Sequence, residues 1–375
     1  MKILLLQPWY FANGHPFAST NALVDWAMSR VELSVWVCRA SKSRQNIPSN
    51  IKKAFTEFYN FGLPILHISS SIILGLMLLF CRRRYAKVIW LDCDPVIATI
   101  FSIIRSWISK EEILVSLLQP PARISKFKVN LIKKFAVYSD TKIMFFSRTK
   151  EVRSSWVMVG LPEARIVIKP SPINNPKAVT AKDINLGMDL KTLSAGTPPR
   201  FRLLVFGQLR PEKSIDKIIE AVVTDGHFEL IVAGPCINDR YLAHIKELAS
   251  DHRNIKILDC FLSTNEVEGL FASADFTVLL YTDSWGKEME SGVLIESANY
   301  QVPSLSYADG WIGETISNFK NGVTIPRKDS GTHVLLDAIK SLSVDEYADL
   351  VNGCRRLSEA YSLDKIGPMY ISAQG

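Results

Sequence analysis

The stretch KEMESGVLIES, Lys287 to Ser297, sets two carboxylates, Glu288 and Glu296, eight residues apart, with Ser291-Gly292 between them. The residues that follow have helical spacing, with Val293, Leu294 and Ala298 as the apolar face, so Ser291 and Gly292 fall at a helix N-terminus. Such a terminus offers unpaired N–H groups and the positive end of a dipole, and small residues let an anion reach the bare backbone. Carboxylates on either side would not hold phosphate; they accept hydrogen bonds from hydroxyls. On that reading one takes the sugar and the other the ribose of a sugar nucleotide. The same residues also fit a plainer role, with Glu288 favouring the helix dipole and Glu296 facing solvent. A second strand-to-helix transition, LLVFGQLRPEKSIDKIIEAV, ends its strand at Gly207, carries Arg210 and Lys213 in one loop, and places Ser214 to cap the next helix. Two full charges beside a helix start suit a diphosphate, and alone would equally suit a solvated loop.

These residues need rigid elements to position them. Short apolar runs alternate with amphipathic stretches along most of the chain, which predicts parallel sheets with helical crossovers. Strands are expected at Lys2–Gln7, Leu33–Arg39, Lys87–Cys93, Ile113–Gln119, Lys142–Ser147 and Arg165–Pro170. After a turn-rich stretch, a second series is expected at Arg202–Gly207, Phe228–Gly234, Ile255–Cys260, Phe276–Tyr281, Val302–Tyr307 and Gly322–Pro326. Ile215, Ile218, Ile219 and Val222 mark one intervening helix, and Ser263 followed by Glu266 has the form of a capping box opening another. The boundaries predicted are a first domain over 1–175, a linker over 176–200, a second domain over 201–355, and a tail over 356–375 that packs back on the first. Doubly wound domains of this kind bind ligands at the carboxyl ends of their strands.

Composition narrows the function classes. The chain has 375 residues, 47% of them hydrophobic, enough for two self-sufficient cores. The net charge of +7 hides an asymmetry: residues 1–175 carry 24 Lys and Arg against 10 Asp and Glu, and the remainder is acidic. A basic half suits an anionic partner, with a phospholipid surface a candidate beside RNA or an acidic polymer, or it is a solvated face with no partner. The segment Leu63 to Arg84 has the length of a membrane span and a basic stop, but His67 and Ser69-Ser70-Ser71 interrupt it and a strand follows directly. A buried or surface-docked helix, an interfacial helix and a span all remain readings of it. Six scattered cysteines without CxxC spacing read as reduced thiols in a cytoplasmic protein, and MKILLLQ reads as a first strand, not a signal peptide. No P-loop, GxGxxG after a strand, HExxH or GxSxG is present, and the six histidines form no ligand-spaced pair, so no metal or cofactor is predicted.

The second half, in order, resembles the retaining family-4 glycosyltransferases of the GT-B fold. FGQLRPEKS is similar to their Gly-x-x-Arg-x-x-Lys-Gly loop, LIVAGP to the next strand and turn, and NIKILDCFLSTNEVEGLFASAD to their base-proximal loop and helix. Glu288 and Glu296 match their E-x7-E motif, and PSLSYADGWIGETISNFKNGVTIP resembles the stretch after it. The likeness covers roughly residues 140–330 plus a first-strand loop containing Gly14.

The resemblance implies two Rossmann-like domains facing each other across a cleft. It implies transfer of a hexose-type sugar from a nucleotide-diphosphate sugar, without a metal, to a saccharide or polyprenyl-diphosphate-linked acceptor. Arg210 and Lys213 would neutralise the diphosphate leaving group, with Gly207 at the turn. Amides near Ser291, Gly292 and Val293 would cradle the distal phosphate. Glu288 would take donor-sugar hydroxyls and Glu296 the ribose, and Cys260 and Phe261 would lie near the nucleobase. Preorganised charge at the diphosphate lowers the barrier to an oxocarbenium-like transition state. A front-side reaction with retention follows, the departing phosphate helping to deprotonate the acceptor. Three positions depart from the family pattern. Gln208 replaces a usual Arg, Asp259 a usual Gly, and VSLLQPPARIS offers Gln119 where relatives place a His. On the acceptor side Gly14, His15, Asp94 and Gln119 are therefore the candidates. A cytoplasmic enzyme, peripheral on an anionic membrane face, is the expectation; the rivals are a sugar-nucleotide 2-epimerase-like isomerase and a non-catalytic sugar-nucleotide-binding scaffold.

Overall fold

Strands buried on both faces must be apolar along their whole length, and strands that run parallel need a crossover between them. The computed structural model describes residues 1–8, 15–40, 55–60, 66–138, 143–171, 201–225, 227–283, 287–327 and 332–372. Gly14 and the linker at 176–200 lie outside those residues. Two compact units result: Met1–Asn174 with Glu288–Glu290 and Tyr361–Gly375, and Asn175–Lys287 with Ser291–Ala360.

The first unit runs β1 (Lys2–Gln7), α1 (His15–Met28), β2 (Glu32–Ala40), β3 (Phe55–Asn60), α2 (Leu66–Phe80), β4 (Lys87–Trp90), α3 (Pro95–Ile108), β5 (Glu112–Ser116), α4 (Lys126–Tyr138), β6 (Ile143–Ser147), α5 (Lys150–Met158) and β7 (Ile166–Ile168). Its seven strands pair in the order β3-β2-β1-β4-β5-β6-β7, all parallel. The edge strand β3 has no counterpart among the expected strands: FTEFYN mixes polar and aromatic residues and lacks the continuous apolar run of a central strand. β4 stops at Trp90, short of the expected Cys93, because Asp92 takes a left-handed conformation, φ 37°.

The second unit runs β8 (Phe201–Phe206), α6 (Ile215–Val223), β9 (Phe228–Ala233), α7 (Asp239–Ala249), β10 (Ile255–Leu258), α8 (Thr264–Ser273), β11 (Phe276–Leu279), α9 (Gly292–Asn299), β12 (Ser304–Tyr307), α10 (Gly310–Phe319), β13 (Gly322–Ile325), α11 (Thr332–Lys340) and α12 (Val344–Ala360). Its six parallel strands pair β10-β9-β8-β11-β12-β13. Helix α6 buries Ile215, Ile218, Ile219 and Val222 on one face, and Ser263 and Glu266 form the capping box at α8. The chain returns to the first unit at Tyr361, not at 356, because α12 continues unbroken to Ala360. There α13 (Leu363–Ile371) packs on α1. Trp26 donates to Asp364 at 2.9 Å, and the buried Tyr370 hydroxyl donates to the Pro170 carbonyl at 2.8 Å.

Helix α2 spans fifteen residues, about 22 Å at 1.5 Å per residue, where a bilayer core needs about 30 Å. No helix among the described residues is long and apolar enough to cross a membrane. One side of α2 buries Ser70, Ser71, Leu74 and Leu78, and Gly75 meets the Phe101 ring of α3, leaving no room for a Cβ. Beneath this helix pair lies a buried ion pair, Arg105 Nε to Glu111 at 2.8 Å. Arg105 also donates to the carbonyls of Leu78, Cys81 and Arg83, at 3.2, 2.7 and 2.9 Å. Glu111 in turn accepts from the Tyr85 amide at 2.8 Å.

Burial disfavours the Glu111 carboxylate, yet Arg105 and the Tyr85 amide hold its pKa below the usual value. The stability this adds is present above the ordinary carboxylate range and is lost as pH falls through the lowered value. Glu111→Leu strands the Arg105 charge and should cost about 3–5 kcal/mol. Urea denaturation at neutral pH would measure it, with the difference from wild type shrinking in acid.

Candidate active site

In an open parallel sheet, neighbouring strands whose crossovers leave in opposite directions part at their carboxyl ends and open a crevice there. In the second sheet this switch falls between β8 and β11. The loop after β8 and the helix start after β11 are therefore neighbours by topology, although far apart in sequence.

The β8 loop turns at Gly207, which has φ +84°. A Cβ there would lie 3.3 Å from Lys213 Nζ and 3.6 Å from a Val293 methyl, so Gly207, Lys213 and Val293 converge on one point. Gly234, φ +141°, backs the turn: a Cβ on it would strike the Gly207 carbonyl oxygen at 2.3 Å. Pro211–Lys213 forms a single 3-10 turn, pinned where the Thr282 amide donates to the Glu212 carbonyl at 2.8 Å. Ser214 does not cap α6 with its side chain, contrary to expectation. It sits in the left-handed region, φ 52°, because the 3-10 turn before it has already reversed the backbone. The Lys213 side chain runs inward and donates to the Phe206 carbonyl. Burial, and secondarily the nearby Arg210, push its pKa down to about 7.

At the facing element, Ser291 is the N-cap of α9 and accepts from the Leu294 amide at 3.3 Å. Helix geometry turns the amides of Gly292 and Val293 outward at this end. The Tyr281 hydroxyl hydrogen-bonds the Ser291 side chain and lies within reach of the Arg210 charge; burial pushes its pKa up. Sequence reasoning missed Tyr281, whose only signal was a hydroxyl-bearing aromatic at the end of an otherwise apolar strand. Glu296 lies half-buried in α9, and Cys260 and Phe261 are exposed beyond β10. Asp259, where relatives have Gly, accepts from the Cys236 amide at 2.8 Å and braces the turn after β9. Behind the Arg210–Ser214 turn is a cavity of about 390 Å³ whose walls include Ser214, Thr282, Tyr307 and Arg327. Arg327, on its wall, donates to Asp309 at 3.0 Å and to the Tyr281 carbonyl at 2.7 Å.

Glu288–Glu290 belongs to the first unit, where Ser155 of α5 donates to the Glu288 carboxylate and Thr149 donates to its carbonyl at 2.7 Å. Glu290 accepts from the Ser171 amide and hydroxyl. Its buried carboxyl is raised by desolvation, with Arg148 pulling the other way. Arg148 also pairs with Asp92 at 2.6 Å, and Asp92 accepts from Gln7 at 2.7 Å. Gln7 and Asp92 stand at the carboxyl ends of β1 and β4, the switch point of the first sheet.

That polar cluster was not expected; Asp94 was, and the structure commits it elsewhere. Asp94 caps α3 by accepting from the Val96 and Ile97 amides at 3.1 Å, and pairs with Lys128 at 2.7 Å. Of the two acids in LDCDP, the one before proline is the natural cap, which leaves Asp92 at the strand end. Gln119 is exposed, and its carbonyl accepts from the Trp156 indole at 2.9 Å. His15 opens α1. Among the described residues no group of three His, Cys, Asp or Glu could hold a metal ion.

Residues 196–360 match the glycosyl transferases group 1 family. Among curated proteins no sequence matches the chain. Solved structures match its whole length. Anabaena Alr3699/HepE in complex with UDP and glucose aligns over 98% of both chains at TM-score 0.71 and 13% identity. WaaG, a glycosyltransferase involved in lipopolysaccharide biosynthesis, aligns over 100% of both at 0.66 and 15%. Sucrose-phosphate synthase from Thermosynechococcus elongatus aligns over 98% of this chain and 96% of its own at 0.71 and 11%. At these identities the likeness carries the GT-B fold.

With its pKa near 7, Lys213 loses its charge in the free protein as pH rises above neutral, while a bound diphosphate needs that charge. Diphosphate affinity should therefore fall above pH 7, by at most about tenfold per unit. Calorimetric titration with UDP between pH 6 and 9 would read it. Lys213→Arg, charged throughout, should flatten the profile to the ligand's own titration, and a wild-type profile parallel to that variant's would refute the assignment.

Proposed function

The region 196–360 is a glycosyl transferases group 1 domain on a GT-B fold, and from that premise we propose that the chain moves a hexose from a nucleotide-diphosphate sugar to a saccharide or lipid-linked acceptor, with retention. The observation that carries this reading is the convergence of Gly207, Lys213 and Val293: a buried lysine and a helix start meet at one point, as a diphosphate requires. That solved neighbours of this fold hold UDP or UDP-glucose supports the nucleotide-sugar class.

In this reading the leaving diphosphate lies between Arg210, Lys213 and the Gly292 and Val293 amides. The bond from the anomeric carbon to the phosphate oxygen breaks as the acceptor oxygen attacks the same face. The acceptor's proton passes to the departing phosphate oxygen, so no protein base is required at that step. Charge developing on the diphosphate meets donors already in place, which is where preorganisation lowers a barrier. Glu296 takes the ribose hydroxyls, and Cys260 and Phe261 border the base. Glu288 takes hydroxyls of the donor sugar, exchanging Ser155 for them. The first unit would supply the acceptor side, with Gly14, His15 and Gln119 as the remaining candidates there. Asp94 is committed to capping α3, and Asp92, at the strand end, joins the acceptor-side candidates in its place. A lipid-linked acceptor would be met by a cytoplasmic enzyme lying peripherally on an anionic membrane face.

Thermal-shift screening against UDP-, GDP-, ADP- and dTDP-hexoses tests the donor; a ligand at 100-fold its Kd should add about 2.7 kcal/mol of stability. Lys213→Ala and Glu296→Ala should each lose transfer by at least about a hundredfold, some 2.7 kcal/mol of barrier, while staying folded. Full activity in both variants would place the chemistry elsewhere. The anomeric configuration of the product, read by NMR, decides retention.

A further inference from the structure

Among the described residues, nothing covers a second face of helix α2. Ile72, Leu76, Met77 and Phe80 recur at helical spacing and are exposed, Phe80 at 80%. On α3, which packs against α2, Trp107 is 76% and Ile108 60% exposed. Exposed apolar groups gathered on two adjoining helices form a patch, unlike the isolated exposed side chains any surface carries.

The charge around this patch has one sign. Residues 66–138 contain eleven Lys and Arg and four Asp and Glu. Each of the four acids is paired: Asp92 with Arg148, Asp94 with Lys128, Glu111 with Arg105 and Glu112 with Lys87. Arg82, Arg83 and Arg84 follow α2 and are exposed, as are Lys110 after α3 and Lys126 and Lys134 on α4. The backbone under the arginine triplet is fixed, because buried Arg105 holds the carbonyls of Leu78, Cys81 and Arg83. That preorganisation means little ordering is needed when the triplet meets a partner.

We propose that this α2–α3 face docks on an anionic lipid surface. Phe80, Met77, Leu76 and Trp107 enter the headgroup boundary, and Arg82–Arg84 and Lys110 lie against lipid phosphates. Exposed apolar side chains on two helices, with exposed cations just past their ends, match that boundary, greasy within and negative at its rim. A second copy of the chain fits less well, since a two-fold contact through this face would bring the same cations together. The assignment deepens the acceptor reading above, but stands on residues outside the donor site.

The test is flotation of the full chain with vesicles of phosphatidylcholine alone and with vesicles in which about a third of the lipid is phosphatidylglycerol. The anionic vesicles should bind the chain at least ten times more tightly, and added salt should weaken that binding. The exposed-residue variants Phe80→Ser with Trp107→Ser, and Arg82→Ser with Arg83→Ser and Arg84→Ser, should each lose most of it. Their UDP thermal shift should match wild type, which separates loss of docking from loss of fold. Equal binding to both vesicles, unchanged binding by both variants, or a dimer in sedimentation velocity that the variants dissolve would overturn the proposal. A chain that floats with anionic vesicles but transfers no sugar would leave docking intact and sink the transferase reading instead.

Discussion

A buried ammonium under a glycine turn is the constraint around which the second unit is arranged. Lys213 donates to the Phe206 carbonyl, an uncharged partner, and Arg210 nearby makes its charge harder to hold. Neither condition favours stability. Both favour an anion placed over the turn, which would restore the charge that burial suppresses. In the proposed reading the surrounding residues keep that place open. Gly207 has no side chain to fill it, Gly234 lets the turn sink against the next strand, and Val293 supplies a helix start opposite.

The first unit handles charge in another way. Two of its buried acids are paired and hydrogen-bonded, Glu111 with Arg105 and Asp92 with Arg148. The Arg105 pair also has a mechanical result, fixing the chain that leaves α2. Burying such pairs is rarely a gain in stability by itself. Here it converts a chain end into a rigid platform whose outer side is basic and apolar together. The second unit thus keeps Lys213 buried beside another cation, whereas the first pairs Glu111 and Asp92 with arginines and presents Arg82, Arg83 and Arg84 outward.

How far the fold was legible follows from periodicity. All six strands expected in each half are present, because strands buried on both faces must be continuously apolar and little else in a soluble chain is. The edge strand β3 escaped, since one open side relaxes that requirement. The capping box at Ser263 was legible as a local motif, but the Ser214 cap was not. Its failure depends on a 3-10 turn whose pinning partner, Thr282, comes from the loop after β11. Asp94 and Asp92 show the same limit: two acids one residue apart look alike in sequence, and only the left-handed turn at Asp92 decides which one faces the strand ends.

The sequence by itself determined the residue types at both loops, a glycine, two cations and a small-residue helix start, because these reflect local demands of turn and cap. It also determined the sign of charge in each half, which is composition. Only the tertiary structure decided that the loops meet. That follows from the reversal of crossover direction between β8 and β11, which brings together segments some eighty residues apart. It also decided that Glu288 rests on Ser155 while Ser291, three residues on, faces Tyr281. Proximity along the chain says nothing about such a division, since a carboxylate goes to whichever donor the packing leaves within reach.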